Sequence, residues 1–186
     1  MTTAALTMTT RPAVFFDRDG VLNEAVVREG RPYPPADAAA LRVDPDAPAA
    51  IAALRARGFA IVVVTNQPDV ARGKTTRASA DAINDALRAA LAPDALSACF
   101  HDNADGCDCR KPAPGMLVRA AHELGLDLAR SYLVGDRWSD IEAGRRAGCR
   151  TVLIERGYVE RAADDPTARV AALPSAAQWI LDDSRP

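Results

Sequence analysis

The chain has 186 residues, 48% of them hydrophobic and 26% charged, with 23 Lys and Arg against 25 Asp and Glu. This composition predicts one globular domain spanning 1–186, which we expect to be a monomer. No basic stripe with interleaved aromatic residues is present, which argues against a nucleic-acid partner. Because 1–12 lack a signal-peptide pattern and no 18 apolar residues run together, we predict a cytoplasmic protein without a membrane partner.

Short apolar runs alternate along the chain with segments of helical periodicity. Runs that are apolar throughout are typical of strands buried on both faces, and they predict parallel strands at 13–17, 59–65, 131–136 and 151–155. Apolar residues spaced by three and four predict helices over 45–58, 77–92, 114–125 and 139–148. A further short strand is predicted at 95–100, and a last helix at 173–183 with Ser175 as its cap.

This alternation predicts the fold class α/β, with a single doubly wound, Rossmann-like parallel sheet and helices on both faces. The connection between the first strand and the first helix, 18–45, has about 28 residues. That is too short for a separate cap domain at ordinary domain sizes. We therefore expect a site that is open to solvent.

Polar residues follow several of the predicted strands at their carboxyl ends, where ligands bind in open parallel sheets. Asp17 and Asp19 end the first strand, in the stretch FFDRDG, while Thr65 ends the second and Asp136 another. Lys111 lies in a connecting loop. Carboxylates, a hydroxyl and an ammonium that converge predict a magnesium-assisted phosphate site. Each residue alone would more often be a loop cap or a solvated charge.

Two nearby residues have competing interpretations. Asp140 could steady a metal through water, but a cap for the helix that begins near 139 is the favoured role. Gly20 could turn the chain sharply away from the phosphate, or it could be a simple turn glycine.

The loop 99–109, CFHDNADGCDC, has the spacing Cys-x-His-x5-Cys-x-Cys. Three thiolates and one imidazole complete a closed tetrahedral site, so we predict a structural zinc held by Cys99, His101, Cys107 and Cys109. The alternative is a set of reduced cysteines with a surface histidine. Cys149 is predicted to be a small core residue, and His122 to be a solvated or packed histidine without a ligand role.

The motifs DRDGVLN, VVVTNQ, CRKP and VGDRWSD, in this order, resemble the four motifs of the haloacid dehalogenase superfamily of phosphotransferases. The resemblance covers about residues 13–158. It implies that Asp17 is the nucleophile and Asp19 the general acid/base, and that Thr65 and Lys111 hold the transferring phosphoryl group. Asp136 would coordinate magnesium together with Asp17 and the backbone carbonyl of Asp19.

Within that superfamily, the zinc loop resembles the heptose 1,7-bisphosphate 7-phosphatase and histidinol-phosphate phosphatase families. The stretches TNQPDVARGKTT and CRKPAPGML favour the heptose family, although Pro68-Asp69 and the segment 24–35 depart from its pattern. The resemblance implies a small phosphorylated substrate and favours a sugar bisphosphate. Histidinol phosphate, another sugar phosphate and a nucleotide are alternatives.

The residues expected to bind this substrate lie near the same loops. They are Asn66, Gln67, Arg110, Arg28 and Arg72. Arg110, next to Lys111, is the favoured partner of a second phosphate that does not react, with Arg28, Arg72 and Lys74 as rivals. A binding module without turnover would be expected to lack Asp17 or Asp19, and both are present.

Overall fold

The computed structural model describes residues 10–185. Its strands are Ala13–Phe16 (β1), Val26–Arg28 (β2), Arg31–Tyr33 (β3), Ala60–Asn66 (β4), Ala95–Cys99 (β5), Tyr132–Gly135 (β6), Arg150–Ile154 (β7) and Ala168–Val170 (β8). Its α-helices are Ala47–Ala56 (α1), Arg77–Leu91 (α2), Gly115–Leu124 (α3), Trp138–Ala147 (α4) and Leu173–Asp183 (α5).

Six strands form one parallel sheet in the order β5-β4-β1-β6-β7-β8, and β2 and β3 form a separate antiparallel hairpin. The chain builds outward from β1 through β4 to β5 and then crosses back to place β6 on the other side of β1. The strand order therefore reverses between β1 and β6. In doubly wound sheets, a crevice for ligands opens beyond the carboxyl ends of the strands at this position.

The two faces of the sheet carry separate hydrophobic cores. Successive strand residues point to opposite faces, so Val14 and Phe16 pack in one core while Ala13 and Phe15 pack in the other. The first core includes residues of α1 and α5, and the second includes residues of α3 and α4. Because both faces are covered, the central strands are apolar at nearly every position. The predicted doubly wound sheet with helices on both faces is confirmed.

The predicted strands and helices of the central fold are confirmed to within about two residues at each end. Three short strands were not predicted. β2 and β3 have three residues each and are largely exposed, so they lack an apolar run, and β8 is a three-residue edge strand. The described connection between β1 and α1 holds the β2–β3 hairpin rather than a cap domain.

The prediction that Ser175 caps the last helix is wrong. Helix α5 begins at Leu173, with Ala172 in the cap position, and Ser175 lies inside the first turn. Helix α5 begins where it was predicted to begin, and Pro174 suits its first turn because proline lacks the backbone N–H that a first turn leaves unpaired.

Among residues 10–185, no helix combines the length and the apolar character that crossing a bilayer requires. Residues 1–9, which form most of the stretch 1–12 that lacks a signal-peptide pattern, lie outside the described part.

Candidate active site

Three carboxylates and one ammonium group meet where the strand order reverses. Asp17 directly follows β1, Asp136 directly follows β6, Asp140 lies in the first turn of α4, and Lys111 enters from the loop before α3. The Lys111 Nζ lies 2.8 Å from Asp17 Oδ1 and 2.6 Å from Asp140 Oδ1. It also donates a hydrogen bond of 2.7 Å to the backbone carbonyl of Val64. All three donor protons of the ammonium therefore have acceptors.

Burial controls the protonation of these groups. It raises the pKa of Asp17 to about 6, although the positive charge of Lys111 opposes the shift. Burial also raises the pKa of Asp136 well above its usual value, and the charges of Asp17 and Asp140 add to the effect. Burial alone would lower the pKa of Lys111, but Asp140 and Asp17 raise it. One ammonium therefore does not compensate three buried carboxylates.

This cluster has the chemistry of a site for a hard cation. Oxygen atoms of Asp17, Asp136 and Asp140 lie within 4.8 Å of one another. Both carboxylate oxygens of Asp136 are buried, and neither has a partner in hydrogen-bond geometry within residues 10–185, which is costly unless another group supplies the missing contacts. Carboxylate oxygens are the ligands that Mg²⁺ prefers. The residues present therefore fit a magnesium ion.

Gly20 makes room for this cluster. Its φ is +84°, and a Cβ atom there would lie 1.9 Å from Asp136 Oδ2 and 2.8 Å from the Tyr158 hydroxyl. Both the backbone conformation and the close approach require glycine, which is more than the role of a simple turn.

Asp140, for which capping was the favoured role, has two contacts. Its Oδ2 accepts a hydrogen bond of 3.1 Å from the backbone N–H of Arg137, the cap residue of α4. Its Oδ1 faces Lys111 within the carboxylate cluster. Sequence spacing indicated the first contact, whereas the second depends on the approach of a loop from elsewhere in the chain.

Asp19 lies beside the cluster and has different partners. Its carboxylate accepts hydrogen bonds from Arg18 at 3.2 and 2.9 Å, from Asn23 at 3.0 Å and from Gln67 at 2.9 Å. The Gln67 Nε2 also donates to Thr65 Oγ1 at 2.8 Å. Gln67 therefore links the predicted acid/base with the predicted phosphate-binding hydroxyl.

Asn66 contacts the backbone of the residue that supplies the ammonium. Its Nδ2 donates to the carbonyl of Lys111 at 2.9 Å, and its Oδ1 accepts from the N–H of Lys111 at 3.1 Å. This pair of hydrogen bonds fixes the loop that carries Lys111 to the end of β4.

A cleft of about 610 Å³ opens above these residues. Asp17, Asp19, Thr65, Asn66, Gln67, Arg72, Arg110, Lys111 and Asp140 are among its lining residues. Arg28 and Lys74 do not line it. Arg28 lies 5.7 Å over the ring of Tyr33, and the Lys74 Nζ is exposed, 3.9 Å from Asp69.

The structure adds Arg31, Arg137 and Trp138 to the cleft lining, which sequence reasoning missed. Arg31 belongs to the hairpin that sequence patterning did not predict, and Arg137 and Trp138 precede and begin α4. Arg137 forms an ion pair with Glu160. The other missed residues are Arg18 and Asn84, both buried. Arg18 lies within the motif DRDG, in which only the aspartates and the glycine had a predicted role, and Asn84 belongs to none of the motifs.

The four residues of the predicted zinc site form one cluster. Cys109 Sγ lies 3.0 Å from Cys99 Sγ, 3.4 Å from Cys107 Sγ and 3.2 Å from His101 Nδ1. Cys99 Sγ lies 3.7 Å from Cys107 Sγ. Tetrahedral ligands with Zn–S bonds of about 2.3 Å have sulfur atoms about 3.7 Å apart, so the cluster needs little expansion to hold zinc. All four cysteines, including Cys149, are free thiols.

The remaining two residues with predicted structural roles are placed as expected. Cys149 is buried in the core that contains α3 and α4, and burial raises its pKa. His122 lies on the exposed side of α3.

Comparison with known proteins gives a consistent family. The haloacid dehalogenase-like hydrolase model matches residues 7–145, and a HAD-hydrolase-like model matches residues 108–183. The chain is 37% identical over 185 residues to D-glycero-beta-D-manno-heptose-1,7-bisphosphate 7-phosphatase of Salmonella typhi, covering 89% of this chain and 94% of the relative. The protein of the same name from Pseudomonas aeruginosa is 34% identical, covering 84% and 88%.

A solved structure has the same architecture. D,D-heptose 1,7-bisphosphate phosphatase from B. bronchiseptica, crystallised with magnesium and phosphate, superposes with a TM-score of 0.78. It is 31% identical, and the match covers 92% of this chain and 99% of that protein. A HAD-like protein from Mesorhizobium loti, 31% identical, has a TM-score of 0.73, and the match covers 95% of this chain and 89% of that protein. From the match over residues 7–145 and these relatives, the chain belongs to the haloacid dehalogenase-like hydrolase family.

Proposed function

We propose that the protein is a magnesium-dependent phosphomonoesterase that removes the 7-phosphate of D-glycero-D-manno-heptose 1,7-bisphosphate. The observation that carries this proposal is the cluster of Asp17, Asp136, Asp140 and Lys111. Asp17, Asp140 and Lys111 line a cleft that several arginines also line, and Asp136 lies buried beside them. The relatives with this substrate in their names support the choice of sugar.

Asp17 is the proposed nucleophile. One of its carboxylate oxygens attacks the phosphorus atom, the bond from phosphorus to the sugar oxygen breaks, and an aspartyl-phosphate forms. Lys111, 2.8 Å from Asp17, and Thr65, at the end of β4, hold the transferring phosphoryl group. Their positive charge and hydrogen bonds stabilise the charge that this group carries in the transition state.

Asp19 is the proposed general acid and base. It donates a proton to the sugar oxygen as that oxygen leaves, and it then takes a proton from the water that attacks the aspartyl-phosphate. That second step releases inorganic phosphate and regenerates the Asp17 carboxylate. The hydrogen bonds from Arg18, Asn23 and Gln67 hold Asp19 near the nucleophile.

Asp17, Asp136 and the backbone carbonyl of Asp19 are the proposed ligands of magnesium, and Asp140 lies close enough to take part directly or through water. When bound, the cation neutralises the repulsion between the carboxylates and an anionic substrate. The magnesium in the B. bronchiseptica relative supports magnesium as the cation.

Arg110 is the proposed partner of the phosphate that does not react. Its Nε donates to Asn103 Oδ1 at 2.7 Å, and within residues 10–185 it has no carboxylate in ion-pair contact. Arg72, in contrast, is held by Asp102 at 2.9 and 2.6 Å. Burial and the nearby charge of Arg72 lower the pKa of Arg110, which is the situation of a cation that gains from an anionic ligand.

The cluster of Cys99, His101, Cys107 and Cys109 is the proposed zinc site, and its role is structural because four protein ligands leave no open position. We keep as predictions a single domain over 1–186, a monomer and a cytoplasmic location.

A substrate panel with magnesium tests the proposed function. It contains the heptose 1,7-bisphosphate, the heptose 7-phosphate, histidinol phosphate and a nucleoside 5′-monophosphate, compared by kcat/KM. We expect the bisphosphate to give the highest value and to lose only its 7-phosphate. A higher value for histidinol phosphate or the nucleotide would replace the proposed substrate, and absence of phosphate release from every compound would refute the activity.

A further inference from the structure

Arg18 is a charged residue that is fully buried, with 0% of its surface exposed. Its Nε and Nη2 donate to the two carboxylate oxygens of Asp19 at 3.2 and 2.9 Å. Its Nη1 donates at 2.6 Å to Oδ1 of Asn84, a buried residue of helix α2. The guanidinium group is therefore held between the active-site loop and a helix 66 residues further along the chain.

The shape of the loop does not account for this arginine side chain. The turn after β1 is closed by the backbone, since the carbonyl of Arg18 accepts from Leu22 at 2.9 Å and from Asn23 at 3.1 Å. The N–H of Gly20 also donates to the carbonyl of Asn23 at 2.7 Å. A buried charge is costly to desolvate, and an apolar side chain of similar volume often stabilises a fold as well or better. We therefore attribute the presence of the guanidinium group to its hydrogen bonds with Asp19 and Asn84.

Asn84 fixes the orientation of the guanidinium group. A planar guanidinium bonds both oxygens of a carboxylate only when its plane is aligned with them. The Oδ1 of Asn84 contacts the nitrogen that faces away from Asp19, and so it sets that alignment from the opposite side. Without this acceptor, Nη1 would be a buried donor lacking a partner, and the side chain would turn or draw in water.

We infer that Asn84 is a positioning residue that acts through Arg18 to hold Asp19 in place for proton transfer to the leaving group. This inference rests on the proposed role of Asp19 as general acid. With this role for Asn84, the site includes a buried residue of helix α2 in addition to the loops at the edge of the sheet.

Phenyl phosphate and p-nitrophenyl phosphate provide the test, because they have similar size and differ in the basicity of the leaving oxygen. Proton donation matters for phenolate and much less for nitrophenolate, and kcat/KM reports the step that forms the phosphoenzyme. We expect Asn84→Ala to lower kcat/KM for phenyl phosphate about 10-fold more than for p-nitrophenyl phosphate. Arg18→Lys should give the same selective loss, since an ammonium cannot bond both carboxylate oxygens at once.

Two controls separate the possible causes. Ser131→Ala removes a different buried hydrogen bond, in which the N–H of Ala13, at the opposite end of β1, donates to the Ser131 hydroxyl at 2.8 Å. Any effect of this variant on kcat/KM should be the same for both substrates. Asp19→Ala should show the largest selective loss. Thermal melting identifies a variant that fails to fold, and if Asn84→Ala fails, the result for Arg18→Lys decides.

Suppose that Asp19→Ala lowers kcat/KM selectively for phenyl phosphate. The inference would then be overturned if the folded Asn84→Ala and Arg18→Lys proteins lost kcat/KM equally on both substrates, or lost none. If Asp19→Ala itself were not selective, the proposed acid role of Asp19 would be wrong, and the inference would fail with it.

Discussion

Asp17, the proposed nucleophile, is under opposed demands, because a nucleophile must be charged whereas burial raises the pKa of Asp17 to about 6. The change Asp17→Asn should preserve the fold, since the amide has nearly the same shape and removes repulsion from the neighbouring carboxylates. It should abolish turnover because it removes the attacking anion. Phosphate release and thermal melting are the measurements. Substantial activity in the folded variant would exclude the aspartyl-phosphate mechanism.

At Gly20, both the lack of space for a side chain and the positive φ require glycine. Gly20→Ala would place a Cβ 1.9 Å from Asp136 Oδ2, so Asp136 must move, and we expect the apparent affinity for magnesium to fall by about 10-fold or more, a loss typical of displaced ligand geometry. Magnesium titrations of activity measure this effect.

Gly58→Ala is the matched control for this prediction. Gly58 also has a positive φ, +91°, but apart from its chain neighbours no atom of residues 10–185 lies within 4 Å of the position of its Cβ. The Gly58→Ala change should lower the stability of the fold by about 1 kcal/mol through backbone strain alone, and it should leave the magnesium dependence of activity unchanged. Equal magnesium dependence in the two variants would contradict a role for Gly20 in accommodating Asp136.

Arg110 should distinguish substrates with one phosphate from those with two. Arg110→Ala is expected to lower kcat/KM for the bisphosphate by about 10–100-fold and to affect a small monophosphate much less, because a charge-assisted pair contributes about 1.5–3 kcal/mol. Arg28→Ala is the control, since Arg28 lies outside the cleft lining. If Arg110→Ala weakened both substrates equally, the arginine would act on the loop or on the reacting phosphate instead.

At the scale of elements, the loop 99–109 connects β5 to the residue that supplies the ammonium. Cys109 lies two residues before Lys111, and Asn66 holds Lys111 from the other side. A metal in this loop would restrict the conformational freedom of Lys111. A side chain that contacts the reacting phosphate accelerates the reaction more when it is held in one position. The proposed zinc site and the proposed phosphate site are thus joined through one short stretch of backbone.

Cys107→Ser tests this element. We expect about one zinc per chain in the unchanged protein and a fall in zinc affinity of about 100-fold or more in the variant, since losing a group that only supports a ligand already costs about 10–100-fold. Turnover should fall as the loop loses order. Elemental analysis and kinetics measure both. Cys149→Ser is the control and should retain zinc; absence of zinc from protein produced with zinc available would refute the site.

At the scale of the whole molecule, the carboxylate cluster makes stability depend on pH and on magnesium. In the metal-free protein, the folded-state pKa of Asp17 is about 6, above its ordinary value of 3.8. Folding therefore favours the protonated form. The contribution of Asp17 to stability is fully present below about pH 4 and is lost as the pH rises through 6. Asp136 shifts in the same direction.

Magnesium should reverse this loss because it binds the folded state and needs ionised ligands. After chelation of metals, we expect the effect of added magnesium on melting temperature to be larger at pH 7.5 than at pH 5. Calorimetry at both pH values measures it, with Asp17→Asn as the control that should respond less. An equal magnesium effect at the two pH values would contradict coupling between the cluster and the cation.

The sequence by itself determined five of the six strands of the sheet, the helices around it and the cluster of Cys99, His101, Cys107 and Cys109. Strands covered on both faces need apolar residues at every position, and crossover helices need an apolar stripe, so both patterns are written locally. The four residues of the zinc loop lie within eleven positions, so their meeting requires no long-range contact. The residues after β1 and β6 were also identifiable, because parallel strands bring their carboxyl ends to one edge.

Only the tertiary structure decided how side chains from distant elements meet. Asp140 faces Lys111, and Asn84 reaches Arg18, because helices α4 and α2 dock on the sheet at particular positions. The hairpin turns Arg31 into the cleft lining and leaves Arg28 outside it. Such contacts depend on the packing of whole elements and on the direction of each side chain, neither of which is specified by residue spacing along a single segment.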